Sequence, residues 1–241
     1  MVHGNRDYFN SMPLSTMYGM VDAAELAARL GSIVTFDRRG NVLWLTGFEE
    51  GLAGWLKWGH GEGFSVTVST DVAFSGGYSC KLVPGSQPSY EVAIARYHYL
   101  PVDTKIGFEF SFLPSYGLDH LYSRMYFYKG DKVHFCKIRY NHAAKTIDYW
   151  GSDGRYVPFI TNINLALYEP WWSVFKWVYD LEAGEYVRFI VNHMQYDLKG
   201  IAAWVINGPG LNFWYYDIGL FQADGMQKPT YIDNVIITVN E

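Results

Sequence analysis

Arg124, Tyr126 and Tyr128 alternate along one stretch, and Arg139, Asp148, Trp150, Tyr186 and Arg188 continue the same kind of alternation further on. Side chains two apart on a strand share a face. These residues, with Glu109 and Lys137, are therefore expected on the polar face of a sheet. Tyr and Trp rings give flat stacking surfaces, while guanidinium and carboxylate groups give bidentate hydrogen bonds. Such a face suits a saccharide, whose C–H faces stack on rings and whose hydroxyls take polar partners. It also suits a protein partner, or simply cross-strand pairs worth ~0.2–1 kcal/mol each.

Catalytic patterns are sparse. Glu109, Asp148 and Glu185 could approach one another across strands as glycosidase or lyase carboxylates, but the chain has no closely spaced Glu-x-Asp-x-x-Glu run. Seven His residues are scattered without metal-ligand spacing, and Asp119-His120, the only adjacent acid–His pair, is read as part of a loop. No Gly-x-Ser-x-Gly elbow, phosphate loop or dinucleotide fingerprint occurs. A non-enzymatic protein is the expectation.

The elements that must position these side chains are strands. From Phe48 onward, short aromatic and β-branched runs alternate with turn residues. Phe108, Phe110 and Phe112 form an inward set, with Met125, Phe127, Cys136, Ile138, Ile147, Tyr149, Val187, Phe189 and Val191 turned the same way. Gly130-Asp131 and Asp153-Gly154 supply the positive φ that tight hairpins need. About a dozen strands over residues 47–241 predict an all-β, two-sheet antiparallel sandwich of jelly-roll type. Residues 1–46 read as an N-terminal arm, a short helix over Asp22–Gly31, and a hairpin joining Ile33–Phe36 to Val42–Leu45.

The 241 residues carry a formal net charge of -5, with no Lys/Arg run, which disfavours nucleic acid as a partner. Cys80 and Cys136 fall in inward strand positions and are expected as two buried thiols. No window approaches a membrane span of ~20 apolar residues. Met1–Asp7 lacks the apolar run of a secretory signal, so a virion or cytoplasmic setting is expected over secretion.

Gly47-Phe48-Glu49-Glu50-Gly51, Gly54-Trp55, Ser75-Gly76-Gly77-Tyr78-Ser79-Cys80 and the closing Tyr231-Ile232-Asp233-Asn234-Val235 resemble the β-sandwich carbohydrate-binding modules of glycoside hydrolases. Trp172 through Asp180, with Gly184–Arg188 and Tyr196-Asp197-Leu198, is similar to the central strands of concanavalin-A-like and laminin-G-like jelly rolls. The first resemblance implies a structural calcium held by Glu49 and Asp233, with no other cofactor.

Together these readings give an expected lectin-like, non-catalytic jelly roll. It would serve as a structural subunit of a larger assembly such as a phage or virus particle, with residues 1–46 reaching neighbouring subunits in a homo-oligomer and with a glycan as candidate ligand. A carbohydrate-binding module or lectin is the first alternative, and a glycoside hydrolase or polysaccharide lyase the second.

Overall fold

The structure, a computed structural model, describes residues 39–99, 104–167 and 171–241. The expected arm, the helix over 22–31 and the first half of the N-terminal hairpin lie outside these residues. Fourteen strands are described: β1 (Asn41–Thr46), β2 (Leu56–Gly59), β3 (Ser65–Ser69), β4 (Ser79–Val83), β5 (Glu91–His98), β6 (Lys105–Leu113) and β7 (Leu118–Asn141). They continue with β8 (Thr146–Trp150), β9 (Tyr156–Thr161), β10 (Ser173–Asp180), β11 (Glu185–Val191), β12 (Met194–Ala202), β13 (Trp204–Gln222) and β14 (Thr230–Val239).

Two antiparallel sheets result. One runs β12-β11-β10-β6-β14-β4-β3, with β1 also on β14, and the other runs β2-β5-β13-β7-β8-β9. The Val42–Leu45 segment thus pairs in β1 with Ile236–Thr238 of the last strand.

The long β7 doubles back at Gly130, where φ is 57°. His142 N–H donates to the Asp119 carbonyl at 2.9 Å, and the Tyr126 and Phe135 rings meet at 5.0 Å, so its two halves lie side by side. Gly130-Asp131 therefore makes the turn that its residue types require.

The core lies between the sheets. Phe108, Phe110 and Phe112 of β6 are fully buried and meet Tyr216 and Phe175 at centroid distances of 4.8 Å (Phe108–Tyr216) and 4.7 Å (Phe112–Phe175). Trp177 Nε1 donates across the sandwich to Ser123 Oγ at 2.7 Å, which satisfies an indole that would otherwise be buried without a partner. Cys80 and Cys136 are free and buried on different sheets. Among the described residues, no helix is long and apolar enough to cross a membrane.

One inward assignment is corrected by a β-bulge. The register of β11 on β12 slips between Tyr186 and Arg188. The extra residue breaks the strict alternation, so Tyr186 turns inward and Val187 is left half-buried. The Tyr186 hydroxyl donates to the Lys137 and Trp150 carbonyls at 3.2 and 3.0 Å and accepts from Lys137 N–H at 2.9 Å. Tyr186 is a core side chain that ties the two sheets together, and it is not available on a polar face.

Candidate functional site on the six-stranded sheet

The inward alternation of Leu121, Ser123, Met125 and Phe127 forces His120, Tyr122, Arg124, Tyr126 and Tyr128 to the outer face of β7. The returning half of β7 adds Lys137 and Arg139 to that face. Arg139 stands in register with Asp148 of β8, and Arg124 with Asp217 of β13. The structure therefore brings Arg124, Tyr126, Tyr128, Arg139, Asp148 and Trp150 together on one sheet. Arg188 belongs to the other sheet, where it pairs with Glu241, so it does not join them. Glu109 and Glu185 also lie on the other sheet, so the carboxylate trio with Asp148 does not form.

Arg124 is the hub of a nearly buried network. Its Nε donates to both oxygens of Asp217, at 2.7 and 2.9 Å, and its Nη2 donates to the Tyr122 hydroxyl at 3.1 Å. Tyr122 donates in turn to Glu91 on β5. The guanidinium lies 4.1 Å from the Tyr122 ring centroid and 5.2 Å from that of Trp58.

Gly219 is what lets Tyr122 reach β5. It faces Tyr122 in register, and a Cβ there would overlap the phenol ring and stand 2.7 Å from Ala93 Cβ. Burial pushes the Asp217 carboxyl up to about 6 despite the guanidinium against it, so at neutral pH it remains ionised.

Two adjoining cavities share Arg124. The first, about 380 Å³, is lined by Asp119, His120, Tyr122, Arg124, Lys137, Arg139, Trp150, Tyr156 and Phe221. The second, about 320 Å³, lies toward the β2 edge and is lined by Leu56, Trp58, Ala95, Tyr97, Arg124, Tyr126, Tyr215 and Asp217.

Three groups in the first cavity are set up for proton transfer and charge binding. His120 Nδ1 is 2.9 Å from Asp119 Oδ2, an arrangement that fixes the proton on Nδ1 and presents Nε2 as a lone pair. Burial holds this imidazole below the usual histidine range, with Asp119 opposing, so it is neutral at pH 7. Burial also pushes the Tyr156 phenol up to about 12, which keeps it protonated. Arg139 stacks on that ring at 3.7 Å while bonding Asp148 at 2.7 Å.

Lys137 has rings around its ammonium, with Trp150 at 4.1 Å and Tyr126 at 5.6 Å, and among the described residues it forms no ion pair. Burial and then the neighbouring Arg124 lower it to about 8. It is half-buried, cationic at neutral pH and uncommitted.

Several members of this site were not placed on the polar face from sequence: His120, Tyr122 and Tyr156, with Glu91, Asp217 and Trp58. His120 and Tyr122 continue the Arg124–Tyr128 alternation backward by two and four positions, which was the available signal. The Asp119-His120 pair sits in strand β7, not in a loop.

Glu49 and Asp233 lie elsewhere, where β14 leaves β4 and takes β1 as its neighbour. Asp233 Oδ2 accepts from the Phe74 and Ser75 amides at 2.8 and 3.1 Å, and Glu49 Oε1 accepts from Gly77 N–H at 2.8 Å. A Cβ at Gly47 would stand 3.6 Å from Asp233 Oδ1, 3.7 Å from Asn234 Oδ1 and 4.0 Å from Glu49 Cγ. Gly47 thus lies in a small cradle of oxygen-bearing side chains. It holds only two carboxylates, and among the described residues no group of three or more His, Cys, Asp or Glu could hold a metal.

No family model matches the chain, and no curated protein does. Solved structures do match. An alginate lyase from Chlorella virus aligns with TM-score 0.54 at 13% identity, covering 83% of this chain and 100% of its own. An endo-β-1,4-glucuronan lyase from the fungus Trichoderma reesei aligns with TM-score 0.55 at 13% identity, over 82% of this chain and 95% of its own. The cellulose-induced protein Cip1 gives 0.55 at 14% identity, over 81% and 96%.

These likenesses correct the expectation of a non-catalytic protein: two chains with this architecture are polysaccharide lyases, and the outer face here carries neutral His, protonated Tyr and free Lys in one cavity. At such identities the likeness establishes architecture, and activity must be argued from the site. The chain has a two-sheet antiparallel jelly-roll fold, an architecture it shares with the two lyases and with Cip1.

Proposed function

We propose that the chain is a polysaccharide lyase that cleaves a uronate-containing glycan by β-elimination on the outer face of the six-stranded sheet. The observation that carries this reading is the 380 Å³ cavity in which His120, Tyr156 and Lys137 converge, each in the charge state the reaction needs. The proton on C5 of a uronate is only weakly acidic. Its removal requires the adjacent carboxylate to be neutralised, a base on C5 and an acid at the leaving oxygen on C4.

Lys137 supplies the free positive charge for the carboxylate, and Arg139, held by Asp148, flanks it. His120 Nε2 takes the C5 proton. The C5–H electron pair becomes the C4–C5 double bond as the C4–O bond breaks, and the departing oxygen takes the proton of Tyr156. Proton return from His120 through solvent to Tyr156 completes the cycle. Asp119 orients His120, while Tyr122, Glu91 and Asp217 hold Arg124 beside the reacting sugar.

The test is to incubate the full chain with anionic polysaccharides and follow the ultraviolet absorbance of the 4,5-unsaturated uronate. His120→Ala and Tyr156→Phe should each lower the rate by about 10²–10⁴-fold, the usual worth of a positioned acid or base. Variants that keep full activity would remove these assignments, and the absence of any unsaturated product from uronate polymers would remove the lyase reading. Calcium at Glu49 and Asp233 is a separate, structural proposal that plays no part in these steps.

A further inference from the structure

The two cavities share Arg124 yet differ in the charge they offer. In the first, Lys137 has its ammonium among aromatic rings and so has charge to spare for an incoming carboxylate. In the second, the only ionic groups that line the space among the described residues are Arg124 and Asp217, and these already neutralise each other through two hydrogen bonds. Glu91, 3.5 Å from Arg124 Nη2, adds a second carboxylate, so the hub sets two carboxylates against one guanidinium. The rest of the second cavity is apolar or aromatic, with Leu56, Trp58, Tyr97 and Tyr215 prominent, and Tyr97 is 52% exposed.

A carboxylate placed there would face a buried like charge and find no unspent cation, which is an unfavourable burial. A neutral sugar would stack on the rings and hydrogen-bond at the rim.

The strand order sets the direction of the ligand. The first cavity is built from both halves of β7 with β8, β9 and Phe221 at the end of β13, and the second from β2, β5 and the middle of β13 with Arg124 and Tyr126 of β7. A glycan occupying both must cross the strands, and two strand spacings amount to ~10 Å, the scale of a disaccharide. The two cavities then hold neighbouring sugars of one chain.

Resting on the lyase reading, we infer that the substrate is a heteropolysaccharide in which the reacting uronate is followed by a neutral sugar, and not a homopolymer of uronates. The first cavity selects the acid and the second selects against it. This is specificity by an unmatched buried charge as much as by attraction.

The experiment compares initial rates of unsaturated-uronate formation by the unmodified chain on two sets of polymers at equal uronate concentration. One set contains polymannuronate, polyguluronate and polyglucuronate. The other contains hyaluronan, unsulfated chondroitin and a polymer alternating rhamnose with a uronate. The inference expects at least one alternating polymer to be cleaved about tenfold or more faster than every homopolymer, the discrimination that ~1.4 kcal/mol provides.

Homopolyuronides cleaved equally well or faster overturn the inference and leave the lyase reading standing. No unsaturated product from either set overturns both. Tyr97→Lys, an exposed position that adds a cation to the second cavity, should move the rate ratio several-fold toward the homopolymers. A folded Tyr97→Lys variant with an unchanged ratio would show that charge in this cavity does not set the preference.

Discussion

Gly219→Ala is the sharpest test of how the Arg124 hub is built. Position 219 has an ordinary strand backbone, so an alanine meets no φ penalty, and its effect must come from space alone. The added Cβ would overlap the Tyr122 phenol and lie 2.7 Å from Ala93 Cβ. Tyr122 would have to swing away, giving up its bonds to Glu91 and from Arg124 and leaving the Glu91 carboxylate buried with a weaker set of partners.

Overpacking alone costs ~1–3 kcal/mol. Loss of a buried hydrogen bond to a charged group adds ~1.5–3 kcal/mol. The total expected loss is about 2–5 kcal/mol, after partial relaxation. Denaturant unfolding measures it as a shift of midpoint at constant slope.

A double-mutant cycle with Tyr122→Ala isolates the cause, because removing the ring removes most of the clash. Gly219→Ala should then cost less than half of what it costs in the parent. An equal cost in the two backgrounds, or a loss below ~0.5 kcal/mol in the parent, would refute the claim that Gly219 exists to let Tyr122 cross to β5.

Further predictions follow from charge. Lys137→Met should abolish turnover of anionic glycan without lowering the melting temperature at neutral pH, and glycan affinity of the parent should fall as pH rises through about 8, where Lys137 loses its proton. Stability moves the opposite way: between about pH 8 and the ordinary lysine value of 10.5 the unfolded chain holds a proton that the folded chain has released, so folding strengthens with pH there, and Lys137→Met should flatten that slope in denaturant titrations. His98 stacks on Trp214 and Tyr216 at 5.4 and 5.5 Å, and burial followed by Arg96 lowers it to about 4. The His98 share of stability should therefore be lost as pH falls from 6.5 toward 4, and His98→Phe should make the profile shallower there; a parallel profile in the variant would contradict it. Calcium in the Gly47 cradle predicts a melting temperature that drops on chelation and recovers with added calcium, by mass action on the folded state. An unchanged melt would leave Glu49 and Asp233 as caps for the 74–77 amides.

Local signals in the chain carried the strands well. The Phe108–Phe112 alternation, the Gly130-Asp131 turn and the outward Arg124-x-Tyr126-x-Tyr128 series each depend on neighbours a few residues away, and each is found in the structure. What sequence could not supply was which strand lies beside which. Arg188 and Glu109 share the alternation of Arg124 but sit on the opposite sheet, because sheet membership is decided by pairings between distant segments. Tyr186 was misplaced by one bulge, which no residue type at that position announces.

The site was half legible for the same reason. Arg139 and Asp148 were recognisable as polar-face residues, yet the hub depends on Asp217 and Glu91, carried by strands that fall far away in the chain. His120 was read as part of a loop because the recognised alternation began at Arg124, two steps past it.

The most direct measurement is mass spectrometry of the fragments released when the full chain acts on an alternating uronate polymer. Elimination predicts new non-reducing ends one water lighter than hydrolysis would give, disappearing in the His120→Ala variant. Fragments carrying the full mass of added water, or a polymer that is bound and recovered intact, would contradict the account.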